Sequence, residues 1–326
     1  MRRAPVVSLV AMTRFIRFLT LAACVSATAG AAGQQPVFRG AGDAVHVYAT
    51  VTDRDGRLVT NLTQDAFEVR DEGKPQPITL FDNTPRAIRL IVMLDVSGSM
   101  AGNLPLLRAA SEQLFRRLGP DDRARVGSFG HQVTISPAFT QDPDELRRAL
   151  PDRISPDAPT PLWRAVDEAM GAFGDEGAER RVILVLSDGK DSGPISFRQR
   201  NVSQVEVIDR ARDDDVMVYG IGMRSRGQRP GMPGIGPGAL QAMLTADLAD
   251  PGLARVAEET GGGYTEIRFG EDLAAAFAQV ADELHSQYLL GFALPTRDGK
   301  VHDIDVRVSQ RGLEPRAKKS YVAPKG

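Results

Sequence analysis

One cysteine, Cys24, stands in a chain of 326 residues, so the fold has no internal disulfide to rely on. Histidine is also scarce: His46, His131, His285 and His302 are scattered, and neither a C-x-x-C nor an H-E-x-x-H spacing occurs. That excludes the thiolate and imidazole clusters that hold zinc. No excess charge of one sign is present either, with 40 Lys and Arg against 42 Asp and Glu. Without a basic face interleaved with aromatics, nucleic acid is not an expected partner. After the N-terminal region no apolar run approaches the roughly 20 residues of a membrane-spanning helix. A G-x-x-x-x-G-K-[ST] phosphate loop and a G-x-S-x-G elbow are missing as well, as are repeats and long low-complexity tracts. What remains is 42% hydrophobic and 25% charged, an ordinary globular balance with length enough for two domains. The short charge runs, Asp213-Asp214-Asp215 and Arg116-Arg117, read as solvated surface.

Residues 1–33 read as a secretory signal peptide. Arg14 and Arg17 precede the apolar stretch 18–25, and small residues at 27–32 suit a signal peptidase, with Met12 as an alternative start. Export implies a secreted or periplasmic, cell-envelope location. Leu21-Ala22-Ala23-Cys24 also resembles a bacterial lipoprotein cleavage box, which would leave a lipid anchor on Cys24. The apolar stretch before Cys24 is short, which favours a cleaved signal over an anchor.

Residues 87–286 alternate strand and helix, the pattern of a mostly parallel, doubly wound α/β sheet covered on both faces. The strands at 88–94, 182–186 and 216–221 are continuous apolar runs, as doubly covered strands are. Residues 125–129 and 133–135, joined through Gly130-His131, form an edge hairpin. Leu107, Leu114 and Leu118 share one face of a helix stopped by Gly119-Pro120. Leu273, Phe277, Val280 and Leu284 repeat that period in another helix. A further helix starts with Pro161 at its first position, and Leu162 and Trp163 read as core.

The flanks follow a two-residue period instead. Val45, Val47, Ala49 and Val51 alternate with polar residues, Asp55-Gly56 and Glu72-Gly73 mark turns, and Ile78 and Leu80 continue the pattern. Residues 288–294 and the set Ile304, Val306, Val308 flank Asp298-Gly299, a hairpin signal. Neither flank buries enough alone, so the strand regions 34–86 and 287–326 are expected to complete one small β-sandwich around the inserted sheet domain.

Three segments carry the chemistry. The run I-V-M-L-D-V-S-G-S-M is an apolar strand ending in Asp95, followed by the hydroxyls of Ser97 and Ser99. Thr160 opens the segment T-P-L-W-R-A-V, and Asp188 ends a second apolar strand, V-I-L-V-L-S-D-G. Ligands of doubly wound sheets gather at the carboxyl ends of strands, where Asp95 and Asp188 both fall. Hydroxyls and carboxylates are hard oxygen donors suited to Mg²⁺, Mn²⁺ or Ca²⁺. Neutral hydroxyl ligands leave the cation's charge incompletely quenched, so an external carboxylate can complete the shell.

Asp95, Ser97, Ser99, Thr160 and Asp188 together resemble the metal-ion-dependent adhesion site of the von Willebrand factor A-domain family, residue type for residue type and in the same order. The resemblance implies that Ser97, Ser99 and Thr160 touch the metal and that Asp95 and Asp188 act through water. With S-Q-Y-L-L-G-F at 286–292, the overall order is similar to secreted bacterial proteins related to von Willebrand factor A. It implies a non-enzymatic, metal-dependent module that binds a protein partner through its Asp or Glu. In some members binding shifts the last helix, here 272–285. The alternatives are a metal-assisted hydrolase or phosphotransferase, for which the site motifs supply no His or Glu base, and an envelope scaffold with a structural metal. Residues 224–238 read as a surface insertion on the same rim, with Arg224, Arg226 and Arg229 able to meet an acidic partner.

Overall fold

The computed structural model describes residues 44–100, 102–174, 179–187, 191–193, 200–223, 251–267 and 272–326. Residues 1–33, expected to be a signal peptide, with Cys24, and likewise Asp188 and the 224–238 segment with its three arginines, lie outside the described residues, and so does the side chain of Ser99.

Strands β5 (Ile88–Asp95), β6 (Arg123–Phe129), β7 (Val133–Ile135), β8 (Arg180–Ser187), β9 (Val216–Met223) and β10 (Tyr264–Ile267) form one six-stranded sheet, ordered β10-β9-β8-β5-β6-β7. All pairings are parallel except β6 with β7, the edge hairpin expected from Gly130-His131. The apolar runs divide by parity, because successive side chains leave a strand on opposite faces. Leu90, Val92 and Leu94 of β5, with Val182, Leu184 and Leu186 of β8, enter one core. Ile91, Met93, Ile183 and Val185 enter the other. Helices α1 (Leu104–Phe115) and α6 (Leu273–Leu284) cover the first face, while α3 (Leu162–Gly171), α4 (Gln204–Asp213) and α5 (Pro251–Thr260) cover the second. A short helix, α2 (Pro143–Ala149), contributes Leu146 to the first core. Among the described residues no helix is long and apolar enough to cross a membrane.

Helix α6 shows how the local sequence acts. The Asp272 side chain accepts from the N–H groups of Ala274 and Ala275, satisfying two otherwise orphan donors. Leu273, Ala276, Phe277, Val280, Ala281 and Leu284 then bury one continuous stripe. Each large aliphatic or aromatic member contributes about 1.5–3 kcal/mol by leaving water. Helix α1 ends one turn earlier than its leucine period suggests. Its last residue is Phe115 and Leu118 lies beyond the helix, yet Leu118 still packs on the same core, so the periodicity reported burial rather than helix length.

The flanking strands build two antiparallel sheets that share one apolar core. Strands β1 (Ala44–Thr52), β4 (Ile78–Asp82), β11 (Tyr288–Ala293) and β13 (Glu314–Ala317) form one sheet, ordered β13-β1-β11-β4. Strands β2 (Phe67–Asp71), β3 (Lys74–Gln76), β12 (Val301–Val308) and β14 (Ser320–Val322) form the other, ordered β14-β12-β2-β3. The fold class is therefore the expected one: an α/β, mostly parallel sheet with a β-sandwich made by both flanks. Glu72 and Gly73 both adopt positive φ, 49° and 74°, and close a two-residue hairpin between β2 and β3. Asp298-Gly299 is a turn but not a hairpin. Strands β11 and β12 lie in different sheets, so that turn carries the chain across the sandwich; the Asp298 side chain accepts from Lys300 N–H.

A histidine fastens the last helix of the sheet domain to the start of β5. His285 Nδ1 lies 2.9 Å from Ala281 O and its Nε2 lies 2.7 Å from Asp122 Oδ2. Both partners are acceptors only, so the geometry calls for a doubly protonated imidazolium. Asp122 also accepts from the N–H groups of Ile88 and Gly119. The hydrogen bond to Asp122 raises the His285 pKa above 6.5, against an opposing effect of burial. Burial works against the ionised form of Asp122, yet His285 and the two N–H donors hold its pKa below 3.8. Stabilisation by His285 is thus complete below its unfolded value of about 6.5 and lost as pH rises through its raised folded value. Stabilisation by Asp122 is present above about 3.8 and lost as pH falls through its lowered folded value. We expect urea-unfolding stability to decline from neutral toward alkaline pH. The portion removed by His285→Gln should be full at about pH 6, just below the unfolded value, and shrink as pH rises through the raised folded value; an equal loss at about pH 6 and at alkaline pH would contradict this.

Candidate metal centre

Asp95 is the last residue of β5 and is fully buried. The neighbouring parallel strand β8 ends in Ser187, with Leu94 paired to Leu186. The two strand ends therefore lie side by side on the carboxyl rim. Ser97 N–H donates to Asp95 Oδ1 at 2.8 Å, an Asx-type turn that bends the chain off the strand. The Ser187 hydroxyl donates to Asp95 Oδ2 at 2.6 Å. Each oxygen of this buried carboxylate thus has a fixed donor, which holds its plane.

The turn after β5 is tied to a second loop. Gly98 N–H donates to Ala158 O, and Ser155 N–H donates to Val96 O. The approach is so close that a Cβ on Gly98 would lie 1.9 Å from Pro156 O. Only glycine fits there without backbone movement. Gly98→Ala should therefore displace one loop and lower stability by roughly 1–3 kcal/mol, the usual cost of overpacking. Unchanged thermal unfolding in that variant would contradict the geometry.

Thr160 follows this second loop and is almost fully buried. Pro161, expected inside the helix, sits just before it. Its φ of −78° and ψ of 65° make an inverse γ-turn, in which Leu162 N–H donates to Thr160 O. Thr160 is also joined to a third loop: its N–H donates to Ser192 Oγ, and Ser192 N–H donates back to Thr160 O. Asp191 Oδ1 accepts from Trp163 N–H at the first turn of α3. Leu162 and Trp163 are core residues, as the sequence suggests.

Backbone bonds thus join the loop of Asp95 and Ser97 to the 155–158 loop that leads into Thr160, and Thr160 to residues 191–193. Sequence reading missed Ser187, Asp191 and Ser192. Ser187 was open to view as the residue before Asp188 at a strand end, whereas the role of Asp191 and Ser192 depends on a contact some thirty positions away. Among the described residues no group of three or more His, Cys, Asp and Glu stands ready to hold a metal. The candidate set is instead one buried carboxylate with the buried residues Ser97 and Thr160, a donor chemistry that fits a hard divalent cation.

Residues 90–247 match the family model of the von Willebrand factor type A domain. The match stops before β10 and α6, which belong to the same sheet and its covering layer. No curated protein matches the chain. Similar solved structures include BatB, a conserved hypothetical protein from Bacteroides thetaiotaomicron, at 17% identity over 60% of this chain and 98% of that one, with a TM-score of 0.44. A von Willebrand factor type A protein from Catenulispora acidiphila aligns at 11% identity over 88% and 74% of the two chains, with a TM-score of 0.47. The corresponding domain of the type V pili tip protein Mfa5 from Porphyromonas gingivalis gives 12%, 62% and 95%, and 0.44. The matched residues, 90–247, fall within the six-stranded sheet domain and its covering helices, the part of the chain that is similar to the von Willebrand factor type A domain.

Proposed function

We propose that this chain is an extracytoplasmic, non-enzymatic protein-binding module that takes up Mg²⁺, Mn²⁺ or Ca²⁺ to engage an Asp or Glu of its partner. Ser97, Ser99 and Thr160 would hold the cation, with Asp95 and Asp188 steadying it through water. When bound, the cation supplies an electrophilic position that a partner carboxylate can fill. The chain's own part is to hold the donors in place before binding. Ser97 N–H and Ser187 Oγ fix the Asp95 carboxylate, Gly98 lets two loops meet, and Ser192 secures the backbone at Thr160. Preorganisation of this kind lowers the ordering cost of binding.

The observation that carries the reading is the buried Asp95, aligned by two donors on the rim where the Ser97 and Thr160 loops meet. The test is calorimetric titration of Mg²⁺ and Mn²⁺ into the EDTA-stripped protein. We expect saturable binding at one site. A flat titration with both ions would sink the metal-dependent reading and favour a scaffold.

A further inference from the structure

Strand β1 is flanked on both sides for only part of its length. It pairs with β11 from Ala44 to Ala49 but with β13 only from Ala49 to Thr52, so its first half has a neighbour on one side alone among the described residues. Beyond Ala317 the chain turns out of that sheet. Lys319 N–H donates to Glu259 O at the end of α5, and Lys319 O accepts from Ile304 N–H in β12 of the other sheet. Among the described residues nothing takes the place that β13 leaves. The direction of the groups along this edge follows from the ladder. Gly291 O accepts from Thr79 Oγ1 of β4, so Gly291 presents its main-chain groups to β4 and not to β1. His46 stands opposite Gly291 in β1, and the two form a non-hydrogen-bonded pair. The N–H and C=O of His46 therefore point away from β11 and out of the open edge, and His46 is exposed.

That edge borders a cleft of about 340 Å³ between the sandwich and the sheet domain, lined by His46 and Tyr48. Arg180, Arg181, Val216 and Met217 also line it, at the amino ends of β8 and β9, the end of the sheet domain opposite Asp95 and Ser187. Ile208, Ala211, Val216 and Met217 supply an apolar surface. The charged lining balances, with four cationic side chains and four carboxylates, and Lys318 is already paired with Asp215 at 2.7 Å. No net charge therefore calls for an ion. What the cleft offers is a main-chain donor and acceptor at a sheet edge, which another strand matches in position and direction. The volume admits a few residues of extended chain and excludes a folded domain.

We propose that the open edge of β1 captures an extended, uncharged segment of a partner protein as an added antiparallel strand, with an aliphatic side chain of that segment on Ile208, Ala211 and Met217. Residues directly opposite each other in an antiparallel pair share a face, so the cleft-facing residues of the segment are those that exchange main-chain hydrogen bonds with His46. The interaction stands apart from the metal loops and should be unchanged in EDTA. The probe is the peptide acetyl-Lys-Thr-Val-Thr-Val-Thr-Lys-amide, its lysines added for solubility, and the readout is amide hydrogen exchange in the purified chain. Without peptide, the amides of Val45 and Val47, which face β11, should exchange slowly and that of His46 fast. Saturating peptide should slow His46. N-methylation of both valines should weaken binding about tenfold or more, because it removes the bonds to His46. N-methylation of the threonines, whose N–H groups point away from β1, should leave binding unchanged. His46→Pro deletes the edge N–H without touching the ladder to β11 and should weaken binding as the methylated valines do. A His46 amide already protected without peptide, no slowing on its addition, or a loss from methylated threonines as large as that from methylated valines would each overturn the proposal.

Discussion

Asp95→Ala is expected to lower divalent-metal affinity by at least about 100-fold, beyond the 10–100-fold typical of outer groups that orient metal ligands. The substitution removes a buried negative charge and, with it, the acceptor for both Ser97 N–H and the Ser187 hydroxyl. Losing two hydrogen bonds to a charged acceptor costs about 1.5–3 kcal/mol each, so the loop after β5 should loosen as well. Asp95→Asn separates charge from shape. Its amide oxygen can still accept from Ser97 N–H, and its NH₂ can donate to Ser187 Oγ, which accepts as readily as it donates. This variant should fold with near-parental stability and still bind metal much more weakly. If Asp95→Asn titrated like the parent, the carboxylate would be a structural cap of the strand end, and the centre would have to lie elsewhere.

Period and parity made the sheet domain legible. The runs of β5, β8 and β9 are apolar on both faces because helices cover both, and that pattern survives without any knowledge of contacts. The edge hairpin and the helix ending at Leu284 followed from equally local signals. Helix α4 carried one that was overlooked, since Ser203 and Glu206 form a reciprocal capping box. Strand β10 was beyond such reading: four residues of mixed polarity form an edge only because Tyr264, Thr265, Glu266 and Ile267 find β9. The Asp298-Gly299 turn misled because dipeptide preference sets turn geometry but not which sheet the next strand joins. Within the candidate centre, Asp95, Ser97 and Thr160 stood out in the sequence by residue type alone, as hard oxygen donors next to strand and helix ends. Their supports did not, because Ser187 and Ser192 are serviceable residues in any loop and gain meaning only from partners distant in sequence.

The seam between the two halves carries the larger stability effect. Glu283 is buried near the end of α6, and its Oε1 accepts from Thr50 Oγ1 of β1 at 3.2 Å and from Tyr219 OH of β9 at 2.7 Å, and pairs with Arg316 of β13. Gln287 extends the network, donating to Thr50 Oγ1 and Tyr219 OH while accepting from Arg180. One carboxylate therefore joins the last helix and strand β9 of the sheet domain to two strands of the sandwich. Glu283→Ala is expected to cost about 3–5 kcal/mol in urea unfolding, because it leaves the Arg316 charge in a half-buried site without its partner. Glu283→Gln, which keeps the acceptor oxygen for Thr50 and Tyr219, should cost less. The double variant Glu283→Leu with Arg316→Met removes both charges together and should recover much of the loss, since an apolar pair of similar volume often matches a buried ion pair. A double variant no more stable than Glu283→Ala alone would show that the hydrogen bonds from Thr50 and Tyr219, not the ion pair, hold the seam. Such a result would shift the weight of the interface from charge compensation to the neutral part of the network.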